Sequence, residues 1–146
     1  MRVLIMGLPG AGKTTLSLSL IKELKRRKFT ITYLNADEVR SAANDWDFTL
    51  EGRIRQAERM CKLADVAATD FVIGDFVAAL EEQRLIFNPD FLIWMNTIEQ
   101  GRYADTNAVF EEPESRDYLV KGLSADHYSA EIADILEHRK KCQSHF

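Results

Sequence analysis

An α/β fold, with a parallel sheet of about five strands and helices on both faces, is predicted by three features of this sequence. Short apolar runs alternate with helix-length amphipathic segments along the 146 residues. Runs such as Phe91-Leu92-Ile93-Trp94-Met95 are apolar at every position, as suits a strand covered on both faces. The first run, Val3-Leu4-Ile5-Met6, leads directly into Gly7-Leu8-Pro9-Gly10-Ala11-Gly12-Lys13-Thr14, the G-x-x-x-x-G-K-[ST] spacing of a Walker A loop. Together they predict a P-loop NTPase fold in one domain spanning residues 1–146, a length sufficient for a real core.

Strands are expected at 2–6, 30–35, 70–74, 91–95 and 118–120. The first helix is placed at 13–28. Leu16-Ser17-Leu18-Ser19-Leu20 alternates as a strand would, but the loop must open into a helix, and Leu16, Leu20 and Leu24 form a helical stripe. The next helix is placed at 49–69, with Leu50, Ile54, Ala57, Cys61, Ala64 and Ala68 as its apolar face and Arg55, Arg59 and Lys62 opposite. A third is placed at 78–87, stopping before Asn88-Pro89, and a C-terminal one runs from 125 to about 140. The polar segment 97–116 carries few helix or strand signals. It follows the carboxyl end of a strand, where such sheets bind ligands, so it is read as a lid or acceptor loop.

Composition narrows the function. Apolar residues make up 46% and charged residues 29%, ordinary values for a globular domain. The net charge of −4 disfavours a broad nucleic-acid face, so nucleic acid is the less favoured partner. No run is long enough for a membrane span. The first strand begins at residue 2, which leaves no room for a signal peptide, and two cysteines, Cys61 and Cys142, make no disulfide framework. A cytoplasmic protein without a membrane partner is expected, with a homodimer kept open.

The chemistry is read from the loop outward. The backbone N–H groups of Gly7, Pro9 to Thr15 and the helix start would cradle the phosphates of ATP; Gly10, Ala11 and Gly12 let the chain curl, and proline itself contributes no donor. Lys13 reaches the β/γ-phosphates, and Thr14 holds Mg²⁺. Asp75 closes the apolar run Phe71-Val72-Ile73-Gly74 and reads as a second Mg²⁺ contact, or as a simple turn. Asp37, after the second strand, would orient an acceptor hydroxyl, its alternative being an N-cap of a short helix. Arg40, Arg53 and Arg102 are the candidate anion contacts, with Arg102 in the lid able to move onto the transferring phosphoryl group. Phe48 could stack on a base or belong to the core. The basic run Lys22, Lys25, Arg26, Arg27 and Lys28 is read as a solvated helix end. His138, Cys142 and His145 have ligand-like spacing without a fourth partner, and are read as a charged tail.

With these residues placed, the chain resembles the adenylylsulfate kinase (APS kinase) family of P-loop kinases. Gly7 to Leu16 is similar to that family's G-L-S-G-[AS]-G-K-[ST]-T-[LI], and Leu34-Asn35-Ala36-Asp37-Glu38-Val39-Arg40 to L-D-G-D-N-[VL]-R. Phe48-Thr49 with Arg53 matches the spacing of F-S-x-x-D-R, Gln56 stands where the family has Asn, and Phe76-Val77 resembles its F-I. The resemblance implies ATP and Mg²⁺, and an acceptor pocket of Asp37, Arg40, Phe48, Arg53 and Gln56, with Phe76 counted among its residues. It also implies transfer of the γ-phosphate to the ribose 3′-hydroxyl of adenylylsulfate, a small nucleotide-like acceptor. The chain departs from the pattern at Asn35, Glu38, Gly52 and Ala78-Ala79-Leu80, and its 97–116 segment is shortened around Gly101 to Asn107. These departures admit a nucleoside, nucleotide or nucleic-acid hydroxyl as acceptor. A reading of another class is a nucleotide-binding regulator without acceptor phosphorylation.

Overall fold

The computed structural model describes residues 1–143 and consists of five parallel strands between two helical layers. The strands are β1 (Arg2–Met6), β2 (Ile31–Asn35), β3 (Phe71–Asp75), β4 (Phe91–Met95) and β5 (Tyr118–Val120), in the order β2-β3-β1-β4-β5. The helices are α1 (Lys13–Arg26), α2 (Ala36–Ala43), α3 (Leu50–Asp65), α4 (Glu81–Phe87), α5 (Ala104–Val109) and α6 (Ala125–Gln143).

Alternation along the strands builds both cores. Val3 and Ile5 join Phe71, Ile73, Phe91 and Ile93 beneath α1 and α6, where Leu16, Leu20 and Leu24 form the buried stripe the helical period predicts. Leu4 and Met6 join Val72, Leu92 and Trp94 on the other face, under Ala57 and Met60 of α3 and Phe87 of α4. The parallel register Val3↔Ile73 and Val3↔Phe91 brings the carboxyl ends of β1, β3 and β4 level at one edge. Asn35 is paired with Asp75, so β2 ends at that edge too.

The helix boundaries differ from the sequence reading for local reasons. α4 begins at Glu81 rather than 78 because Ala78 has φ 47° and Leu80 is extended. Arg84 holds that irregular turn by donating to the Ala78 and Ala79 carbonyls at 3.1 Å each. α3 stops at Asp65, four residues short of the expected end. Its buried face is also turned: Gly52, Arg53, Gln56, Ala57, Met60 and Ala64 face inward, whereas Leu50 and Ala68 are exposed. α5 lies within the segment read as irregular. Within the basic run, Arg27 is no solvated end: it pairs with Glu23 on its own helix and with Asp134 and Glu137 of α6. His138 and Cys142 meet at 3.7 Å, while His145 lies outside the described residues. No cluster of metal-ligating side chains occurs among the described residues, and no helix there is long and apolar enough to cross a membrane.

Gly74 tests the packing of α4 on the sheet. A Cβ there would stand 2.7 Å from Phe87 Cζ, and Phe87 is fully buried. Gly74→Ala is expected to lower the unfolding free energy by about 1–3 kcal/mol, the usual cost of overpacking. A denaturant titration with unchanged midpoint would contradict this.

Candidate active site

The loop between β1 and α1 is shaped by Gly10 and Gly12, whose φ values of 91° and 98° lie in the left-handed region. Gly12 is the N-cap of α1, and no side chain caps its first turn. The free N–H groups there can face an anion. Thr15 follows Thr14 on the exposed side of that turn, and Pro9 is half-buried on the loop.

Lys13 donates to the Leu8 carbonyl at 3.1 Å, bending its side chain back over the loop. Burial pushes its ammonium below the usual lysine range; Asp75 and then Asp37 oppose that shift, and Arg102 adds to it. Three residues from three different connections therefore act on one ammonium group. Arg102 comes from the 97–116 segment, and its Nε lies 3.9 Å from where a Cβ on Gly10 would stand. It sits over the phosphate loop.

Asp75 is 3% exposed, and one of its oxygens, Oδ2, collects three donors. Thr14 Oγ1 donates at 2.9 Å, the Tyr33 hydroxyl at 2.7 Å and Asn35 Nδ2 at 3.3 Å. Burial and the bond to Asp75 push the Tyr33 hydroxyl up to about 12, so it remains a donor at neutral pH. Tyr33 and Asn35 were not among the sequence candidates. Their i, i+2 spacing at the end of β2 was the available signal, since it puts both on one face of the strand.

Asn35 also accepts from the Glu38 N–H at 3.1 Å and is the N-cap of α2. The capping alternative for Asp37 is thereby corrected: Asp37 is exposed in the first turn of α2, beyond the cap.

Arg40 and Arg53 meet around Phe48. Arg40 is buried, donating from Nη1 to the carbonyls of Asp45 and Asp47 at 3.1 Å each, and its guanidinium lies 4.3 Å from the Phe48 ring centroid. Arg53, 4% exposed, donates from Nε to the Phe48 carbonyl at 2.9 Å. Phe48 is 45% exposed, which corrects the core alternative. Gln56 donates to the Ala36 carbonyl at 3.1 Å and accepts from Arg59, fastening α3 to the start of α2. Phe76 stands apart from these residues. It is buried in the apolar core, edge-on to Phe87, with ring centroids 5.5 Å apart.

Gly52, one of the departures, has a geometric reason. A Cβ at position 52 would collide with the Asp47 backbone carbonyl and carboxyl group. Asp47 instead supplies a carboxylate there, capping the Thr49 N–H at 2.9 Å and pairing with Arg55 at 3.0 Å.

The 97–116 segment docks against the start of α3. Arg53 Nη2 donates to Thr106 Oγ1 at 3.0 Å, in a buried bond, and lies 3.6 Å from Asp105. Asn107 closes the preceding turn by bonding both the N–H and the carbonyl of Gly101, at 2.8 and 3.1 Å. The Arg53 contact is not visible in sequence spacing, because Arg53 and Thr106 are 53 residues apart.

The family profile described as adenylylsulphate kinase matches residues 1–88, more than half of the chain. The chain belongs to the adenylylsulphate kinase family. It is 32% identical over 85 residues to a probable adenylyl-sulfate kinase of Aeropyrum pernix, covering 56% of this chain and 46% of that protein. It is 35% identical over 60 residues to a cytidine diphosphoramidate kinase of Campylobacter jejuni, covering 41% of this chain and 35% of that one. The matched segments thus span less than half the length of these curated relatives. The fold is shared with the Mycobacterium tuberculosis APS kinase CysC solved in complex with AMPPNP and APS, at a TM-score of 0.79, 19% identity and coverage of 93% and 96%. It is shared more loosely with the shikimate kinase of Acinetobacter baumannii, at a TM-score of 0.63, 17% identity and coverage of 95% and 94%.

The docking of α5 can be tested directly. Thr106→Val leaves a buried Arg53 donor without its partner, which costs about 1–3 kcal/mol. Hydrogen exchange across residues 101–110 should accelerate relative to the unaltered chain, with the P-loop helix unchanged. Equal protection in both proteins would refute the docking.

Proposed function

We propose that this chain transfers the γ-phosphoryl group of ATP to a hydroxyl of a small, nucleotide-like acceptor. The observation that carries this reading is the phosphate loop itself, whose Thr14 donates to the buried Asp75 at 2.9 Å and whose Gly10 lies beneath Arg102. Phosphoryl transfer needs little covalent chemistry from the protein; it needs the reactants aligned and the developing charge neutralised. Lys13 and the N–H groups of the loop bind the β- and γ-phosphates. Arg102, already over Gly10, neutralises the transferring group. Asp37, exposed at the same edge, orients the acceptor hydroxyl or takes its proton.

The donor set suits Mg²⁺, with a threonine hydroxyl and a carboxylate 2.9 Å apart and the remaining ligands left to phosphate and water. Thr14 and Asp75 would hold it, and when bound it neutralises charge on the β- and γ-oxygens. Tyr33 and Asn35 fix the orientation of the carboxylate that would face it.

Family membership leaves the acceptor open, because the relatives include both an adenylyl-sulfate kinase and a cytidine diphosphoramidate kinase. On the acceptor side Arg40 and Arg53, which would bind the anionic part, already donate to Asp45, Asp47, Phe48 and Thr106. That engagement favours an acceptor other than adenylylsulfate as the second reading.

Acceptor-dependent ADP release, measured with adenylylsulfate, nucleosides, nucleotides and an oligonucleotide, tests the proposal. At least one of the small acceptors should raise ADP release above the acceptor-free rate. Lys13→Ala should lower it by about 10²–10³-fold, as loss of a preorganised charge donor does, with the fold intact. Full activity in that variant would refute the assignment. Slow hydrolysis indifferent to every acceptor would favour a nucleotide-binding regulator.

A further inference from the structure

The chain leaves β4 directly against the phosphate loop. A Cβ on Gly7 would stand 2.7 Å from the Met95 carbonyl oxygen, so the strand's last residue and the loop's first glycine are in contact. The Asn96 N–H donates to the Val120 carbonyl at 2.8 Å, which fastens the strand's exit to β5. Thr97 stands next on that held backbone. Its hydroxyl donates to the Ala11 carbonyl at 2.7 Å, a bond between residues 86 apart in sequence. A carbonyl only accepts, so the direction of the bond is fixed.

Around the Ala11–Gly12 peptide one donor is left over. The Ala11 N–H donates to the Leu8 carbonyl, and the Gly12 carbonyl accepts from the Leu16 N–H, both at 3.0 Å. The Gly12 N–H has no partner among the described residues, and no side chain caps the helix it opens. A peptide unit is planar and trans, so its C=O and N–H point in opposite directions. With the Ala11 carbonyl held on Thr97, the Gly12 N–H is turned away from Thr97, at the uncapped start of α1 where an anion is favoured.

That orientation does not maintain itself. Gly12 has no Cβ, so the peptide plane before it rotates at little steric cost. Ala11 is fully buried, and its carbonyl needs a partner. Without the Thr97 hydroxyl, rotation of the plane would carry that carbonyl toward water on the phosphate side. The same rotation would withdraw the Gly12 N–H and set an oxygen against the phosphates.

We infer that Thr97 is a positioning residue of the phosphate loop: its hydroxyl pins the Ala11–Gly12 peptide so that the Gly12 N–H faces the phosphates of the nucleotide. The first residue of the 97–116 segment is then fixed support for the loop. The inference rests on the reading of the loop as the ATP phosphate site and is independent of the acceptor.

Calorimetric titration with AMPPNP and Mg²⁺ tests it, together with the backbone amide spectrum of the ¹⁵N-labelled chain. Thr97→Val keeps the shape and removes the hydroxyl; it should weaken AMPPNP about 10–100-fold, the loss expected for a hydrogen bond to a charged group. Thr97→Ser keeps the hydroxyl and should bind as the unaltered chain does. The Gly12 amide should move downfield on AMPPNP binding in the unaltered chain and in Thr97→Ser, and stay near its free position in Thr97→Val. If Thr97→Val does not fold, Thr97→Ala takes its place with the same expectation. A bond that only satisfied a buried carbonyl would lower stability and leave the Gly12 response intact. Unchanged affinity with an intact Gly12 shift in the hydroxyl-free variants, or a loss in Thr97→Ser equal to theirs, would overturn the role of the hydroxyl and leave the phosphate site standing. Failure of the unaltered chain to bind AMPPNP would overturn both.

Discussion

One carboxylate oxygen organises this edge of the sheet. Asp75 is buried at the end of β3, where an unpaired charge would be costly, and three donors from two other connections satisfy it. Through Thr14 it is tied to the phosphate loop. Through Asn35 it is tied to the N-cap of α2, and so to the position of Asp37 and Arg40. The phosphate loop and the start of α2 are thus fixed to each other by a single side chain. The exchange of Asp for Asn at position 35, relative to the family pattern, makes sense in that light: a second carboxylate beside Asp75 would repel it, whereas the Asn35 amide donates to it and its carbonyl still caps the helix.

A second constraint comes from α3, whose inward face is polar at its first turns. Arg53 and Gln56 occupy positions that an apolar pattern would give to Leu50 and Ile54. They are satisfied by backbone: Arg53 by the Phe48 carbonyl, Gln56 by Ala36. In turn the Arg53 carbonyl accepts from Gln83 of α4 at 3.0 Å. The same helix therefore packs its later turns as core, through Ala57, Met60 and Ala64, and uses its first turns as the wall of the acceptor region.

This division explains what could be read from the sequence. Strands β1, β3 and β4 with α1 and α6 bury continuous or periodic apolar residues, so the apolar pattern reveals them, and the Walker spacing marks the phosphate loop. The buried face of α3 was hidden because its inward residues are charged or amide-bearing, and hydrophobic period counts them as surface. α5 was hidden because it is six residues long, starts without a side-chain cap and is held by long-range bonds to Arg53 instead of by an apolar stripe. The start of α4 was misplaced because Ala78 takes a left-handed conformation that its identity does not advertise, and Arg84 stabilises it from six residues away. In each case side-chain hydrogen bonds overrode a local preference.

The distribution of charge follows the two halves. N–H groups, Lys13 and Arg102 gather around one loop, as binding of a triphosphate requires. By contrast Arg40 and Arg53 are turned into the protein, and the surface beyond the ends of β1 and β4, with Trp94, Phe110, Glu99 and Glu112, is aromatic and acidic. Had Arg40 and Arg53 been free, a sulfate or phosphate could have been recognised bidentately. Arg40 donates from Nη1 to two backbone carbonyls and Arg53 from Nε and Nη2 to Phe48 and Thr106, so an anion met here would compete with bonds the fold already uses.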